Sequence, residues 1–393
     1  MPADDFPDMR EPSVAITKMK RSGIREIFDL ANAIPGAIHL EMGEPDFQTP
    51  AHIRDAAARA AEEGFTKYTP NAGITDLREA IAVKVRSKNG IDATIEQVVV
   101  TPGAIAALHG VMLALCDRGD EILISDPAWP NYRMLSDLLG LETVYYELAP
   151  GDGMQPEAER IEPLITARTK LILLNSPSNP TGTIIDRGHL DDVLRLAEEH
   201  DLWVVSDEVY DEMVFDNAPA PSPAASTFAE RVVSVFSFSK SYAMTGWRVG
   251  YAVAPIDIAP FVAKTQEPTT ACVNAPAQMA ALEALQGSQD CVRQMRDAYE
   301  ERRDDVVDIL DSAAVPYVRP SGAFYIWVDV SGAGLSDIDF ARRLLTEREV
   351  AVTPGSAFGP ANRDFVRVSL ASDASELRKG VARLVESVAD WSS

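Results

Sequence analysis

Residues 237–250 read Ser-Phe-Ser-Lys-Ser-Tyr-Ala-Met-Thr-Gly-Trp-Arg-Val-Gly and contain one lysine, Lys240. The run before them, Val232-Val233-Ser234-Val235-Phe236, has the β-branched and aromatic composition of a strand buried on both faces, so Lys240 falls just past a strand end. In open α/β sheets ligands gather at the carboxyl ends of the strands. A lysine amine there, desolvated and close to a second cation such as Arg248, gives up its proton more readily and can attack a carbonyl to form a Schiff base. Ser237 and Ser239 add hydroxyls and Arg248 a forked guanidinium, the donors that a cluster of phosphate oxygens needs. Taken in isolation the same charges also read as solvated loop residues, because short motifs recur by chance.

The longer string, Ser-x-Ser-Lys followed by Gly-x-Arg-x-Gly, resembles the cofactor-lysine segment of the fold-type I, class I/II aminotransferases of the aspartate aminotransferase superfamily. That resemblance implies pyridoxal 5′-phosphate as cofactor, carried by Lys240. It extends to Ser206-Asp207-Glu208-Val209-Tyr210, which follows a predicted strand over 202–205. By residue type Asp207 would also serve as a helix N-cap. The resemblance makes it the carboxylate that pairs with the pyridine nitrogen, and Tyr210 a donor to the ring's phenolic oxygen. A protonated ring draws electrons from the substrate Cα, so that its proton can be removed.

Further turns match in the same order along the chain. Asn179-Pro180-Thr181-Gly182 is a tight turn by composition, and the resemblance assigns the Asn179 amide to the phenolic oxygen. Thr101-Pro102-Gly103-Ala104 joins a strand to a helix, whose first amides can face an anion. The resemblance places the phosphate at Gly103 and Ala104, where Ala104 brings an amide and no hydroxyl. Trp129, in Asp126-Pro127-Ala128-Trp129-Pro130, would stack on the pyridine face, although a single Trp is ordinarily core. Arg367 is the charged member of an alternating strand, 365–371, a position that is ordinarily solvated. It matches the arginine that grips the substrate carboxylate through two parallel hydrogen bonds, with Gly43 as the glycine beside that carboxylate. The Tyr-x-Pro-x-x-Gly loop at Tyr68 resembles the segment that reaches the phosphate in a neighbouring subunit, which implies a homodimer.

These residues need a scaffold that brings strand ends together. From Val98 to Val253 seven short apolar runs alternate with helical patterns, which predicts an α/β fold with a mainly parallel seven-stranded sheet sandwiched by helices. After Gln278 long charged helices and a predicted strand over 322–328 indicate a smaller α+β domain built from both chain ends. The expected division is 1–50 for an arm and part of the small domain, 51–285 for the cofactor domain and 286–393 for the small domain. The Pro- and Ala-rich stretch 217–226 reads as a surface connection.

Composition limits the alternatives. The 393 residues carry a formal charge of −24, which opposes nucleic acid and anionic membranes as partners. No secretory pattern or membrane-length apolar run is present, and three scattered cysteines argue against a disulfide framework, so the expected location is cytoplasmic. The five histidines lack metal-binding spacing, and no metal is expected. An aspartate-type aminotransferase is one alternative, and a carbon–sulfur β-lyase or cyclopropane-forming synthase on the same fold is another, since the same carbanion serves each. A transcription regulator with an aminotransferase-like domain is disfavoured, because too few residues precede Gly43 for a helix-turn-helix module. Gly103-Ala104-Ile105-Ala106 has no charge to meet a distal substrate carboxylate. A neutral or aromatic donor is therefore expected, with a dicarboxylic 2-oxo acid accepted through arm cations among Lys18, Lys20, Arg21 and Arg25.

Overall fold

The computed structural model describes residues 12–19 and 23–392. Among these residues thirteen strands form three sheets: β1 (Ile38–His39), β2 (Val98–Thr101), β3 (Glu121–Asp126), β4 (Glu142–Glu147), β5 (Thr169–Asn175), β6 (Trp203–Asp207), β7 (Val232–Ser237), β8 (Gly250–Val253), β9 (Tyr317–Val318), β10 (Tyr325–Asp329), β11 (Val350–Ala351), β12 (Thr353–Pro354) and β13 (Phe365–Ser369).

The large sheet has the order β2-β8-β7-β6-β5-β3-β4. Strand β8 runs antiparallel to both its neighbours, and the other neighbouring pairs are parallel. Its central strands are apolar at nearly every position because successive side chains enter different cores. On one face Ile172, Leu174, Val204, Val232 and Phe236 join the helices Thr75–Lys84, Arg187–Glu199 and Ala275–Gln286. On the other face Leu171, Leu173, Val205, Val233 and Val235 pack with Ala104–Leu115 and Ala259–Thr265. A charge at one of these positions would be buried without a partner, which is why the runs read without alternation.

A four-stranded sheet, β12-β13-β10-β9, is antiparallel. Beside it β1 pairs in parallel with β11, so a segment from the start of the chain is tied to one near its end. The expected strand over 322–328 begins only at Tyr325. Gly322 makes an isolated antiparallel bridge to Val214, where a Cβ would lie 2.7 Å from the Met213 carbonyl, and Ala323 and Phe324 form a turn, with Ala323 at φ +57°. The 217–226 stretch is also not wholly superficial. Ser222, Pro223 and Ala224 are buried, and the Ser222 hydroxyl donates to the buried Glu208 carboxyl at 3.0 Å.

Candidate active site

One end of the large sheet collects the residues singled out by type. Register sets Thr101 opposite Gly250, Gly250 opposite Ser237, and Asn175 opposite Asp207. The loops leaving these ends line a cleft of about 420 Å³ that contains Gly43, Ala104, Trp129, Asn179, Asp207, Tyr210, Ser237, Ser239, Lys240, Arg248 and Arg367. Gly103 lies directly beneath Arg248: it has φ +81°, and a Cβ there would sit 3.0 Å from the guanidinium carbon. Tyr68 stands outside the cleft of its own chain and is 88 % exposed.

Lys240 sits on the single-turn helix Phe238–Ser241, which starts because Ser237 caps it, the Ser237 hydroxyl accepting from the Ser239 amide at 3.1 Å. That bond leaves the Ser237 O–H free to donate into the cleft. The Lys240 ammonium donates to the Gly43 carbonyl at 2.6 Å. Burial lowers its pKa to about 8, opposed by Glu44 and reinforced by Arg367 and then Arg248. The sequence pointed to Arg248 as the depressing cation; desolvation is the larger cause, and Arg367 precedes Arg248.

Asp207 ends β6 and is buried. Its carboxylate accepts from the Tyr132 hydroxyl at 2.7 Å and from the Val209 amide at 3.3 Å. Burial raises its pKa to about 6, against the lowering effect of these two donors and of Lys240. No helix follows Asp207, so it is not a helix N-cap: the hydrogen bond from the Val209 amide holds the turn after β6, and the other carboxyl oxygen accepts from Tyr132. The Tyr210 and Tyr325 hydroxyls share a hydrogen bond of 2.9 Å.

Arg367 departs from the usual solvated strand arginine, being 1 % exposed. One amino group donates to the Asn179 side-chain oxygen at 2.9 Å, and the other to the Glu41 carbonyl and the Thr353 hydroxyl. Its guanidinium lies over the Tyr325 ring at 4.3 Å and the Phe358 ring at 4.9 Å. Among the described residues its Nε is buried with no hydrogen-bond partner, and the residue lines the cleft. An incoming carboxylate would supply the guanidinium with a countercharge. Gly43 instead makes room for Tyr325, whose hydroxyl a Cβ there would overlap.

Sequence reading missed Tyr132, Tyr325, Asn175 and Glu44, all on the cleft wall. Tyr132 could have been found, since it lies three residues past Trp129 at a helix start. Tyr325 could not, because only the smaller sheet brings it to Tyr210. Asn175 accepts from the Asn179 amide at 2.8 Å and donates to the Asp207 carbonyl at 2.9 Å, holding two cleft loops together.

The description of the family "Aminotransferase class I and II" matches residues 35–384. The chain belongs to this family. Its activity is amino transfer between amino acids and 2-oxo acids. This aminotransferase is 40% identical over 350 residues to the aspartate/prephenate aminotransferase of Thermus thermophilus, covering 88% of this chain and 89% of the relative. It is 36% identical over 367 residues to the aromatic-amino-acid aminotransferase 2 of Thermococcus litoralis, covering 92% and 94%. A solved structure of the aspartate aminotransferase from Thermus thermophilus with maleate superposes with a TM-score of 0.92 at 38% identity, covering 96% of this chain and all of that one. In the aminotransferase described here, no helix among the described residues is long and apolar enough to cross a membrane. Nor does any group of three or more His, Cys, Asp or Glu among those residues offer a metal site.

Proposed function

We propose that this aminotransferase works with pyridoxal 5′-phosphate held by Lys240 and prefers a neutral or aromatic L-amino acid as donor. The observation that carries this reading is the burial of one depressed-pKa lysine in the same cleft as Asp207 and the unsatisfied Arg367. The donor set fits the cofactor. Ser237, Ser239, Arg248 and the first amides of the helix Ala104–Leu115, which have no intrahelical acceptor, suit a phosphate. The glycine at 103 lets Arg248 approach that helix start. Asp207 suits a ring N–H, Tyr210 and Asn179 a ring oxygen, and Trp129 a ring face.

When bound, the cofactor supplies a carbonyl for the amine and an electron-withdrawing ring. The residues of the chain then have separable tasks. Arg367, on the cleft wall with Gly43, binds and orients the substrate carboxylate. Lys240, once its amine is free, takes the proton from the substrate Cα and returns one on the other side of the exchange. Asp207 keeps a proton on the ring nitrogen, and burial of the cleft floor excludes water from these charges. Tyr68 would serve the cleft of a second copy of the chain, a reading supported by its exposure on a loop. The apolar wall of Ile24, Ile105 and Trp129 supports the donor preference.

Borohydride reduction followed by peptide mapping is expected to find the cofactor on Lys240; a label on any other lysine would overturn the assignment. A half-reaction screen of the common L-amino acids, read from cofactor absorbance, tests the donor. The neutral or aromatic preference fails if kcat/KM for aspartate exceeds that for every neutral and aromatic donor. Elimination without stoichiometric use of a 2-oxo acid would indicate a β-lyase instead. For Tyr68, a monomeric variant with full activity and full cofactor affinity would count against a shared site.

A further inference from the structure

Asp126 closes β3 of the large sheet just before the Trp129 loop, and it is buried with no cation within ion-pair distance among the described residues. Its partners come instead from the loop that leads into β13. One carboxyl oxygen accepts from the Ala361 amide at 3.2 Å, and the other accepts from the Asn362 side-chain amide. Burial raises the pKa of this carboxyl, and the two donors hold it back down. A second tie runs beside the first, the Ala128 amide donating to the Phe358 carbonyl at 2.7 Å. Gly359 admits the carboxylate, since a Cβ there would overlap it.

Each side of this contact leads to a residue of the cleft. On one side Trp129 meets the Tyr132 ring edge-on, with 5.5 Å between centroids, and Tyr132 in turn bonds Asp207. On the other side Asn362 precedes β13, which carries Arg367, and the Phe358 ring lies 4.9 Å from the Arg367 guanidinium. The 355–362 loop is closed tightly on the root of that strand, because a Cβ on Gly355 would lie 2.6 Å from the Phe365 carbonyl. Behind Trp129 the packing is open: a cavity of about 440 Å³ is lined by Ala128, Trp129 and Pro130 together with Phe358, Gly359 and Pro360. Apolar contact alone therefore does not fix the spacing of the two loops, whereas directional hydrogen bonds to a buried carboxylate do.

We infer that Asp126 and Asn362 are a positioning pair for amino transfer, setting the loop of Trp129 against the strand of Arg367 so that the ring-stacking and carboxylate-binding sides of the cleft keep one geometry. This rests on the roles proposed above for Trp129 and Arg367. Neither member of the pair lines the cleft, so the pair acts through those two residues. An amide in place of the Asp126 carboxylate would turn an N–H toward the Ala361 amide or the Asn362 amide, setting donor against donor where water does not reach. Exchanging the two side chains restores the match: in D126N/N362D the amide at 126 accepts from the Ala361 N–H and donates to the carboxylate at 362.

The test compares wild type with D126N, N362D, D126N/N362D, W129A and D126N/W129A. Binding of pyridoxal 5′-phosphate to cofactor-free protein and of 3-phenylpropionate to holoenzyme is measured by calorimetry, with folding checked by circular dichroism. Each single change of the pair is expected to weaken both ligands by about 10-fold or more, the scale of a buried donor left unmatched, and D126N/N362D should return both to within about threefold of wild type. In the W129A background D126N should add less than about twofold to the cofactor Kd, since residues that act through one another are not additive. A pair that only stabilised the fold would lower the melting temperature and leave both constants of the folded protein unchanged, and that result would overturn the role. So would a double exchange that fails to fold or to recover binding, or a D126N loss fully additive with W129A. If the single variants do not fold, D126N/N362D decides alone, and wild-type constants in it support the pair. A wild type that binds no pyridoxal 5′-phosphate would instead overturn the cofactor reading, and binding of 3-phenylpropionate to the cofactor-free protein would still test the pair.

Discussion

At the residue scale, the cleft holds charged groups where water does not reach them, and the same burial that costs stability sets their chemistry. Asp207, with its pKa raised to about 6, keeps a proton in the folded protein that the unfolded chain has released above about pH 4. The folded state therefore binds more protons than the unfolded state across that window, and stability falls as pH rises from about 4 to 6. Above it the cost, of order 3 kcal/mol, is fully present. Asp207→Asn is thus expected to raise the melting temperature of cofactor-free protein at pH 8 but not at pH 4, while lowering turnover of the holoenzyme by orders of magnitude. A variant that is less stable than wild type at pH 8 would refute the strain at this carboxyl. Lys240 runs the other way: the unfolded chain holds its proton to a higher pH, so stability rises as pH increases above about 8. In cofactor-free protein its acylation should show a midpoint near pH 8, read by peptide mapping, and a midpoint near 10 would contradict desolvation.

At the scale of elements, close approaches without side chains bring the strand ends into one site. Gly250 opens β8 against the helix start, where a Cβ would lie 2.6 Å from the Ala104 nitrogen. Gly103 combines a left-handed φ with the space that Arg248 fills. Gly103→Ala should strain the backbone and displace the guanidinium. Cofactor affinity is expected to fall about 10-fold or more, the effect of one charge-assisted contact. Unchanged affinity would show that Arg248 does not depend on that turn. A second tie holds the segment after Asp207: the Lys84 ammonium pairs with Asp211, and Asn89, on the π-helical turn Val85–Asn89, bonds to both. The Lys84 ammonium also lies 4.8 Å from the Phe236 ring on β7, so the segments bearing Tyr210 and Lys240 are braced against one helix end.

At the scale of the whole molecule, 60 acidic against 36 basic residues leave the surface self-repelling. Among the described residues many arginines are already paired at the surface, and such exposed pairs contribute little each. Screening should therefore help more than it harms. The melting temperature is expected to rise between about 0.05 and 1 M KCl, as the Debye length shrinks from roughly 14 to 3 Å. A fall over that range would mean that the surface pairs outweigh the net repulsion.

The seven apolar runs between Val98 and Val253 determined the large sheet, because a strand buried on both faces must be apolar almost throughout. Turn residues at their ends likewise marked Lys240, Asp207, Asn179 and Arg248 before any contact was known. The start of β10 escaped this reading, since the left-handed Ala323 and the crowding of Gly322 against Met213 depend on a distant segment. Tyr325 escaped it too, whereas Arg367 was marked by resemblance and only its burial was not: the smaller sheet presses the two onto Tyr210 and Asn179 across 115 and 188 residues of chain. Local composition determines which segments can be strands, turns and caps, since those preferences act within a few residues. Which cation loses its water, which hydroxyl meets Asp207 and which arginine is left with an unsatisfied donor are decided only when distant segments exclude solvent together, because desolvation is a property of the assembled cleft.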